Sequence, residues 1–223
     1  MKYFAVIVAG GSGIRMGSDL PKQFQLLNGK PVLQYSLDSF ASLKDLKVEI
    51  FVVLPQSYLA TWREICTQQK IMVPHQTCYG GETRFHSVRN ALDCIDEAGW
   101  IAVHDGARPL LSPDLARKCF SEVQTCGAVV PVLPVRESLV MVEEDSSCWP
   151  VPRKGLHVVQ TPQVFHSSLL KQAYLQEYRP SFTDDASVVH AAGHVVSVIP
   201  GESRNIKLTY PDDLILASHY LSV

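Results

Sequence analysis

Two cations stand in and just after a glycine-rich run near the start of the chain. The run is Ala9-Gly10-Gly11-Ser12-Gly13-Ile14-Arg15-Met16-Gly17, and Pro21-Lys22-Gln23 follows it. Glycines let backbone N–H groups approach a phosphate with no Cβ in the way. Arg15 and Lys22 would add fixed positive charge beside it. Such a pair suits a triphosphate attacked at its α-phosphorus, because negative charge grows on the equatorial oxygens and on the leaving pyrophosphate. Two other phosphate motifs are excluded. The dinucleotide pattern Gly-x-Gly-x-x-Gly fails at Met16, and no Gly-Lys-Ser/Thr stands at the Walker spacing. The plainer alternative is a flexible turn with two solvated basic side chains. Further along, Asp105 and Arg108 follow an apolar run in His104-Asp105-Gly106-Ala107-Arg108-Pro109. His104 reads as a packed or capping imidazole in preference to a base. His190 and His194 have the helical spacing of paired metal ligands, but no third ligand lies nearby in sequence and Gly193 ends the helix, so both read as surface.

The elements that must position these groups alternate. Phe4 to Ala9 is a continuous apolar run ending in glycines, as expected of a strand buried on both faces. Ile50 to Leu54, Trp100 to Val103, Ala128 to Val135, and Val195 to Ile199 repeat the pattern. Val158, Val159, Val164 and Phe165 suggest one strand more. Pro131 and Pro134 predict an edge or a bend. Helical spacing appears at Leu33, Leu37 and Phe40, at Val88, Ala91, Leu92 and Ile95, and at Leu115, Cys119, Phe120 and Val123. Ser112-Pro113-Asp114 is a helix start, with a hydroxyl cap, a first-turn proline and an acid near the positive end. Thr183 is expected to cap a helix that runs through Val188 and Val189 and stops at Gly193. Pro211-Asp212-Asp213 opens a last helix. Tyr3, Phe51 and Trp100 read as core. This alternation predicts a mostly parallel sheet with helices on both faces, and ligands then bind beyond the carboxyl ends of the strands. Arg136 to Gly155 fits neither pattern. It is either a disordered loop or a hairpin arm, and Leu139-Val140-Met141-Val142 favours the arm.

Composition bounds the function. With 46% apolar and 19% charged residues, the 223-residue chain is globular and long enough to bury a core without disulfides. Twenty-two acids against 20 bases give a net charge of −2, which argues against coating nucleic acid by charge. Six cysteines without a Cys-x-x-Cys pair read as thiols in a reducing cytoplasm. No apolar stretch approaches the ~20 residues that span a bilayer. Lys2 with Tyr3 to Ala9 faintly resembles a signal peptide, but Arg15 stands where small cleavage-site residues belong, so the segment reads as a strand.

The motifs then narrow together. Gly10-Gly11-x-Gly13-x-Arg15-Met16-Gly17 with Pro21-Lys22-Gln23 resembles the signature of nucleotidyltransferases that charge sugars and sugar alcohols. Five more runs follow in order: Gly80-Gly81-Glu82-Thr83-Arg84-Phe85-His86-Ser87-Val88, His104 to Pro109, Gln160-Thr161-Pro162-Gln163, Thr183-Asp184-Asp185-Ala186-Ser187 and Asn205-Ile206-Lys207-Leu208-Thr209. Across nearly the whole chain this order resembles the 2-C-methyl-D-erythritol 4-phosphate cytidylyltransferase family. The resemblance implies one Rossmann-like, doubly wound α/β domain over residues 1–223, with a mixed, mostly parallel sheet and residues 136–155 as a protruding dimerisation β-arm. It implies CTP and methylerythritol phosphate as substrates, Mg²⁺ or another divalent cation as cofactor, a homodimer, a cytoplasmic location, and no nucleic-acid or membrane partner. It implies that Ala9, Gly10, Gly11, Gly13, Arg15, Lys22, Gly81, Glu82 and Ser87 bind the nucleotide. Asp105, Arg108, Ser138, Arg153, Thr161, Thr183 and Lys207 would bind the acceptor. Arg15, Lys22, Asp105 and Lys207 would carry the catalysis, with Asp105 also near the metal. The chain departs from the family at Glu137-Ser138-Leu139-Val140, where Val140 lacks the usual cation, and at Gly106, where alanine is usual. A cytidylyltransferase for another polyol phosphate such as ribitol 5-phosphate, and a silent nucleotide-binding module that regulates a partner, are the alternatives.

Overall fold

The computed structural model describes residues 1–11 and 21–222. Gly13 and Arg15 therefore lie outside the described residues. The elements follow in chain order. β1 (Lys2–Val8) leads to a short 3₁₀ turn (Lys22–Phe24), the small hairpin β2 (Leu26–Leu27) and β3 (Lys30–Pro31), then α1 (Val32–Ala41). β4 (Glu49–Leu54), α2 (Leu59–Gln68), β5 (Gln76–Tyr79), α3 (Arg84–Leu92), β6 (Gly99–Asp105) and α4 (Pro113–Cys126) complete the first half. β7 (Ala128–Pro134), β8 (Leu139–Val142), β9 (Cys148–Val151), β10 (His157–Val159) and β11 (Gln163–His166) follow. The chain continues with α5 (Ser167–Ala173), α6 (Asp185–Ala191), β12 (Ser197–Pro200) and α7 (Pro211–Ser222).

The main sheet runs β10-β7-β11-β6-β1-β4-β5, with β12 also paired to β7. β5, β4, β1 and β6 are mutually parallel, whereas β11 is antiparallel to both β6 and β7. Period-2 alternation sends the two faces of each strand into separate cores. Ala5, Ile7, Val52 and Ala102 pack with α1, α2 and α4, including Phe40, Trp62 and Phe120. Phe4, Val6, Val53, Ile101 and Phe165 pack with α3, α5 and α6. Phe51 and Trp100 are buried, and Tyr3 is half-buried with its ring edge on Phe120 at 5.2 Å between centroids. α7 closes over the β2–β3 hairpin through Leu27, Leu208 and Ala217.

The expected start of α4 is realised. Ser112 Oγ accepts the Leu115 N–H, Pro113 stands in the first turn, and Gly127 ends the helix at φ +77°. Three expectations change, and one of two alternatives drops out. β7 is not an edge: β12 lies on one side, and β11 and β10 share the other. The prolines are accommodated because the ladder changes partner there. β11 pairs with Ala128–Val129 and β10 with Val132–Pro134, while the Pro131 carbonyl accepts from Gln160 N at 2.8 Å between the two segments. The expected strand over Val158–Phe165 is accordingly two strands. The last strand starts at Ser197 and not Val195. Asp184, not Thr183, caps α6, because its side chain takes the Ser187 N–H while Ser187 Oγ takes the Asp184 N–H, a reciprocal pair that a threonine one residue earlier cannot make. Residues 136–155 form a hairpin, β8 against β9, as a sheet of its own.

Candidate active site

Because β1, β4, β5 and β6 are parallel, their carboxyl ends open on one edge of the sheet, and the loops after them meet there. Backbone bonds carry each strand into its loop: Ala9 N–H reaches the Val53 carbonyl, Gly80 N–H the Leu54 carbonyl, and Gly106 N–H the Val8 carbonyl. Gln23, buried, donates to the Ala9 carbonyl at 2.7 Å and holds the start of the glycine run. Between these loops lies a cavity of about 270 Å³, lined by Gly10, Gly11, Lys22, Gly81, Glu82, Arg84, Ser87, Asp105 and Lys207, among others. The Gly81 N–H donates to Ser87 Oγ at 3.0 Å, and Ser87 Oγ donates to the Thr83 carbonyl at 2.9 Å. A Cβ on Gly81 would stand 2.4 Å from His86 Cβ, so only glycine fits the turn.

A second cavity of about 240 Å³ adjoins it, lined by Arg108, Gln160, Thr161, Gln163, Thr183 and Asp184, and again by Arg84, Asp105 and Lys207. The two cavities thus share three charged residues. Asp105 is their centre. Its Oδ2 lies 2.9 Å from Lys207 Nζ and 3.4 Å from Arg108 Nε, and its Oδ1 lies 3.5 Å from Arg84 Nε. Burial works to raise the Asp105 carboxyl, but the charges of Arg84, Lys207 and Arg108 outweigh it and hold the group well below the usual carboxylate range. Arg108 is a buried clamp and not a surface residue. Beyond Asp105 it donates to the Asn205 carbonyl at 2.8 Å. Lys22 Nζ donates to the Leu208 carbonyl at 2.7 Å, next to Lys207, so the two lysines of the two cavities are anchored on one short segment.

His104 is not the base of this site. It is fully buried, Nε2 bonds the Arg108 carbonyl at 3.1 Å, and Nδ1 pairs with Thr161 Oγ1 at 2.9 Å. A carbonyl can only accept, so Nε2 carries the proton and Thr161 donates to Nδ1. Burial pulls the imidazole down to about 4. Thr161 Oγ1 also accepts the Asp105 N–H at 3.1 Å, and Asn205 Nδ2 donates to the Thr161 carbonyl at 2.8 Å. The ring is therefore a neutral strut that fixes the loop bearing Asp105 and Arg108.

The structure brings Gly10, Gly11, Lys22, Gly81, Glu82 and Ser87 to the first cavity, Arg108, Thr161 and Thr183 to the second, and Asp105 and Lys207 to both. Ala9 lies beneath the first, buried in the core. Ser138 and Arg153 line neither. Both are exposed on the arm, and the Arg153 guanidinium donates to the Arg136 carbonyl. His190 is exposed and His194 half-exposed. Among the described residues, no cluster of three His, Cys, Asp or Glu side chains could hold a metal. Of the carboxylates that line the cavities, Asp105 is the one shared by both, and it fits Mg²⁺, which needs only one or two carboxylates when phosphates supply other ligands. Sequence reasoning missed Arg84, although it sits in a quoted motif, because its partner Asp185 is 101 residues away. It also missed Asn205 and Gln160, whose side-chain amides tie the second cavity to the segment at 202–205.

An open sheet whose carboxyl edge joins a glycine-lined cavity to a second, cation-rich one, across a shared carboxylate, is the construction of a nucleotidyltransferase. The sequence model that describes 2-C-methyl-D-erythritol 4-phosphate cytidylyltransferases matches residues 3–223. The chain belongs to that family. It is 47% identical over 217 residues to a protein of that name from Bacteroides fragilis, covering 97% of this chain and 98% of that one. It is 46% identical over 222 residues to one from Porphyromonas gingivalis, covering 99% and 98%. The fold matches the crystal structure of the Thermus thermophilus cytidylyltransferase with a TM-score of 0.80 at 30% identity over the whole of both chains. The Francisella tularensis cytidylyltransferase matches at 0.82 and 30%, covering 98% of this chain and 99% of that one.

Proposed function

We infer that this chain transfers the cytidylyl group of CTP to 2-C-methyl-D-erythritol 4-phosphate, forming 4-CDP-2-C-methyl-D-erythritol and pyrophosphate on the route to isoprenoid precursors. The observation that carries the reading is the pair of adjoining cavities with a common wall of Arg84, Asp105 and Lys207. An oxygen of the acceptor's phosphate attacks the α-phosphorus, and the bond to the β-phosphate oxygen breaks. A phosphate monoester has its second pKa near ~6, so the nucleophile is already an anion and needs no base. The barrier is the meeting of two polyanions, and it is lowered by position and charge.

Gly10, Gly11, Gly81, Glu82 and Ser87 hold the cytidine, together with Ala9 and Gly13 of the same glycine-rich sequence run. Lys22 and Arg15 neutralise the triphosphate and the leaving pyrophosphate. Arg108, Thr161, Thr183 and Lys207 hold the acceptor. Asp105 would hold Mg²⁺ at the junction, where a divalent cation supplies charge neutralisation on the CTP phosphates. The test is pyrophosphate release by the purified protein with CTP, Mg²⁺ and each of several polyol phosphates. Turnover with methylerythritol phosphate is expected, and turnover with ribitol 5-phosphate alone would overturn the acceptor.

The active form we propose is a homodimer joined through the β8–β9 arm. Val140, Met141, Val142 and Trp149 on it are each more than half exposed, an apolar surface that water leaves costly and a twin subunit covers. Beside its root lies a cavity of about 600 Å³, which shares Arg108, Gln160 and Lys207 with the acceptor cavity. A partner's arm seated there brings Arg153 and Ser138 to the acceptor. Six free thiols and the use of CTP support a cytoplasmic location.

A further inference from the structure

Arg84, Asp185 and Tyr174 form a line of short contacts from the core to the junction of the two cavities. Asp185, the first residue of α6, has no exposed surface. Its Oδ1 accepts the Tyr174 hydroxyl at 2.6 Å, and its Oδ2 accepts Arg84 Nη2 at 2.6 Å. Arg84 Nε in turn faces Asp105 Oδ1 at 3.5 Å. Tyr174 is buried and stacks on Phe85, the chain neighbour of Arg84, with 4.7 Å between ring centroids. Burial, with the charge of Asp185 behind it, raises the Tyr174 phenol well above its ordinary value, so it stays a donor through the neutral range.

A buried ion pair is a poor source of stability, because desolvation offsets its attraction and apolar residues of the same volume serve folding as well. Direction is what it supplies. A guanidinium is a planar fork, and holding two of its nitrogens fixes the whole plane. Asp185 holds Nη2 and Asp105 faces Nε, which sets the fork at the wall that both cavities share. Unlike Lys207, whose side chain is 44% exposed, this cation is locked from behind.

We propose that Tyr174 and Asp185 are positioning residues for the transfer, acting through Arg84, whose guanidinium they aim at the phosphates that meet between the cavities. The proposal rests on the assignment of those cavities to CTP and the acceptor. Arg84 then preorganises the α-phosphate and the incoming phosphate against each other, so its alignment governs turnover more than the binding of either substrate.

Tyr174→Phe keeps the ring stack and removes the one donor to Asp185 Oδ1. Its kcat should fall about tenfold, as for loss of a bond to a charged group, with both KM values within about twofold. Arg84→Lys, which keeps the charge and loses the fork, should lower kcat about a hundredfold. Adding Tyr174→Phe to Arg84→Lys should then change kcat less than about twofold, because the relay has lost its target. A Tyr174→Phe enzyme with a lowered melting temperature but wild-type kcat well below it would overturn the proposal, as would a full tenfold loss repeated in the Arg84→Lys background. Lys22→Ala, assayed in parallel, separates the two layers. Wild-type turnover there overturns the site assignment and the proposal with it. Loss of turnover there, with none in Tyr174→Phe, overturns the relay alone.

Discussion

Replacing Lys207 by alanine should separate catalysis from stability and one substrate from the other. Its backbone is held independently of its side chain, since Leu208 N–H reaches the Ala107 carbonyl at 2.8 Å and the Leu208 carbonyl accepts from Lys22. The ammonium lies 2.9 Å from Asp105, but its side chain is 44% exposed, so the pair adds at most about 1 kcal/mol to folding. For a chain of this size that is a shift of about 2–4 °C in Tm. Asp105 keeps Arg84 and Arg108 and stays ionised. In the transition state, loss of one fixed charge on the acceptor phosphate costs about 2.7–4 kcal/mol, or 10²–10³ in kcat/KM for methylerythritol phosphate. Lys207 also lines the nucleotide cavity, yet CTP affinity should stay within about threefold, because Lys22 and Arg84 still line that cavity and Arg15 is untouched. Initial rates of pyrophosphate release against each substrate, calorimetry with CTP and a melting curve read the three quantities. An equal loss of both affinities, or activity that falls only in step with Tm, would refute the division of the site into two halves.

Three more expectations follow from the same geometry. Gly81→Ala should abolish measurable CTP binding, because its Cβ would press on α3 at His86, while Gly10→Ala, with nothing nearer than Ser87 Oγ at 3.7 Å, should fold as stably as wild type; urea titration and calorimetry compare them. Burial lowers the His104 imidazole from 6.5 to about 4, so the unfolded chain takes up a proton there before the folded one does. Stability is then fully present above pH 6.5 and falls as pH drops toward 4. His104→Gln should flatten that part of the profile of urea midpoints, and an unchanged slope would remove His104 as its source. Deleting 140–147 behind a glycine bridge should give monomers without activity, and mixing Arg153→Ala with Lys207→Ala chains should restore part of it. A dimeric deletion variant by sedimentation, or no rescue on mixing, would mean that the arm is not shared and that Arg153 acts within its own subunit or not at all.

What was legible in the sequence was local or periodic. The cap, proline and acid at 112–114 specify the start of α4 within three residues, and the apolar run at Phe4–Ala9 needs no distant partner to read as a strand. Asp105 and Lys207 could be nominated through motif order. What stayed hidden depends on contacts between distant segments. Nothing in Arg84 or Asp185 alone says that they pair, and the interior position of β7 follows from strands that arrive later in the chain and share its length between them. Asp184 displaced Thr183 as a cap through a reciprocal bond with Ser187 that composition alone does not rank.

The arm grows from a place where the sheet has already closed. Pro134 pairs with His157, and Val135 N–H reaches the Leu156 carbonyl, so both ends of the arm are fastened side by side before β8 begins. Its length is thereby uncoupled from the register of every other strand. Doubling such a loop costs only about 0.6 kcal/mol in closure entropy, and residues can be gained or lost at the 143–147 turn without moving Gln160 or Thr161. Descendants of one ancestor can therefore recut this tip, and with it the surface it offers, while the chemistry at the root is inherited unchanged.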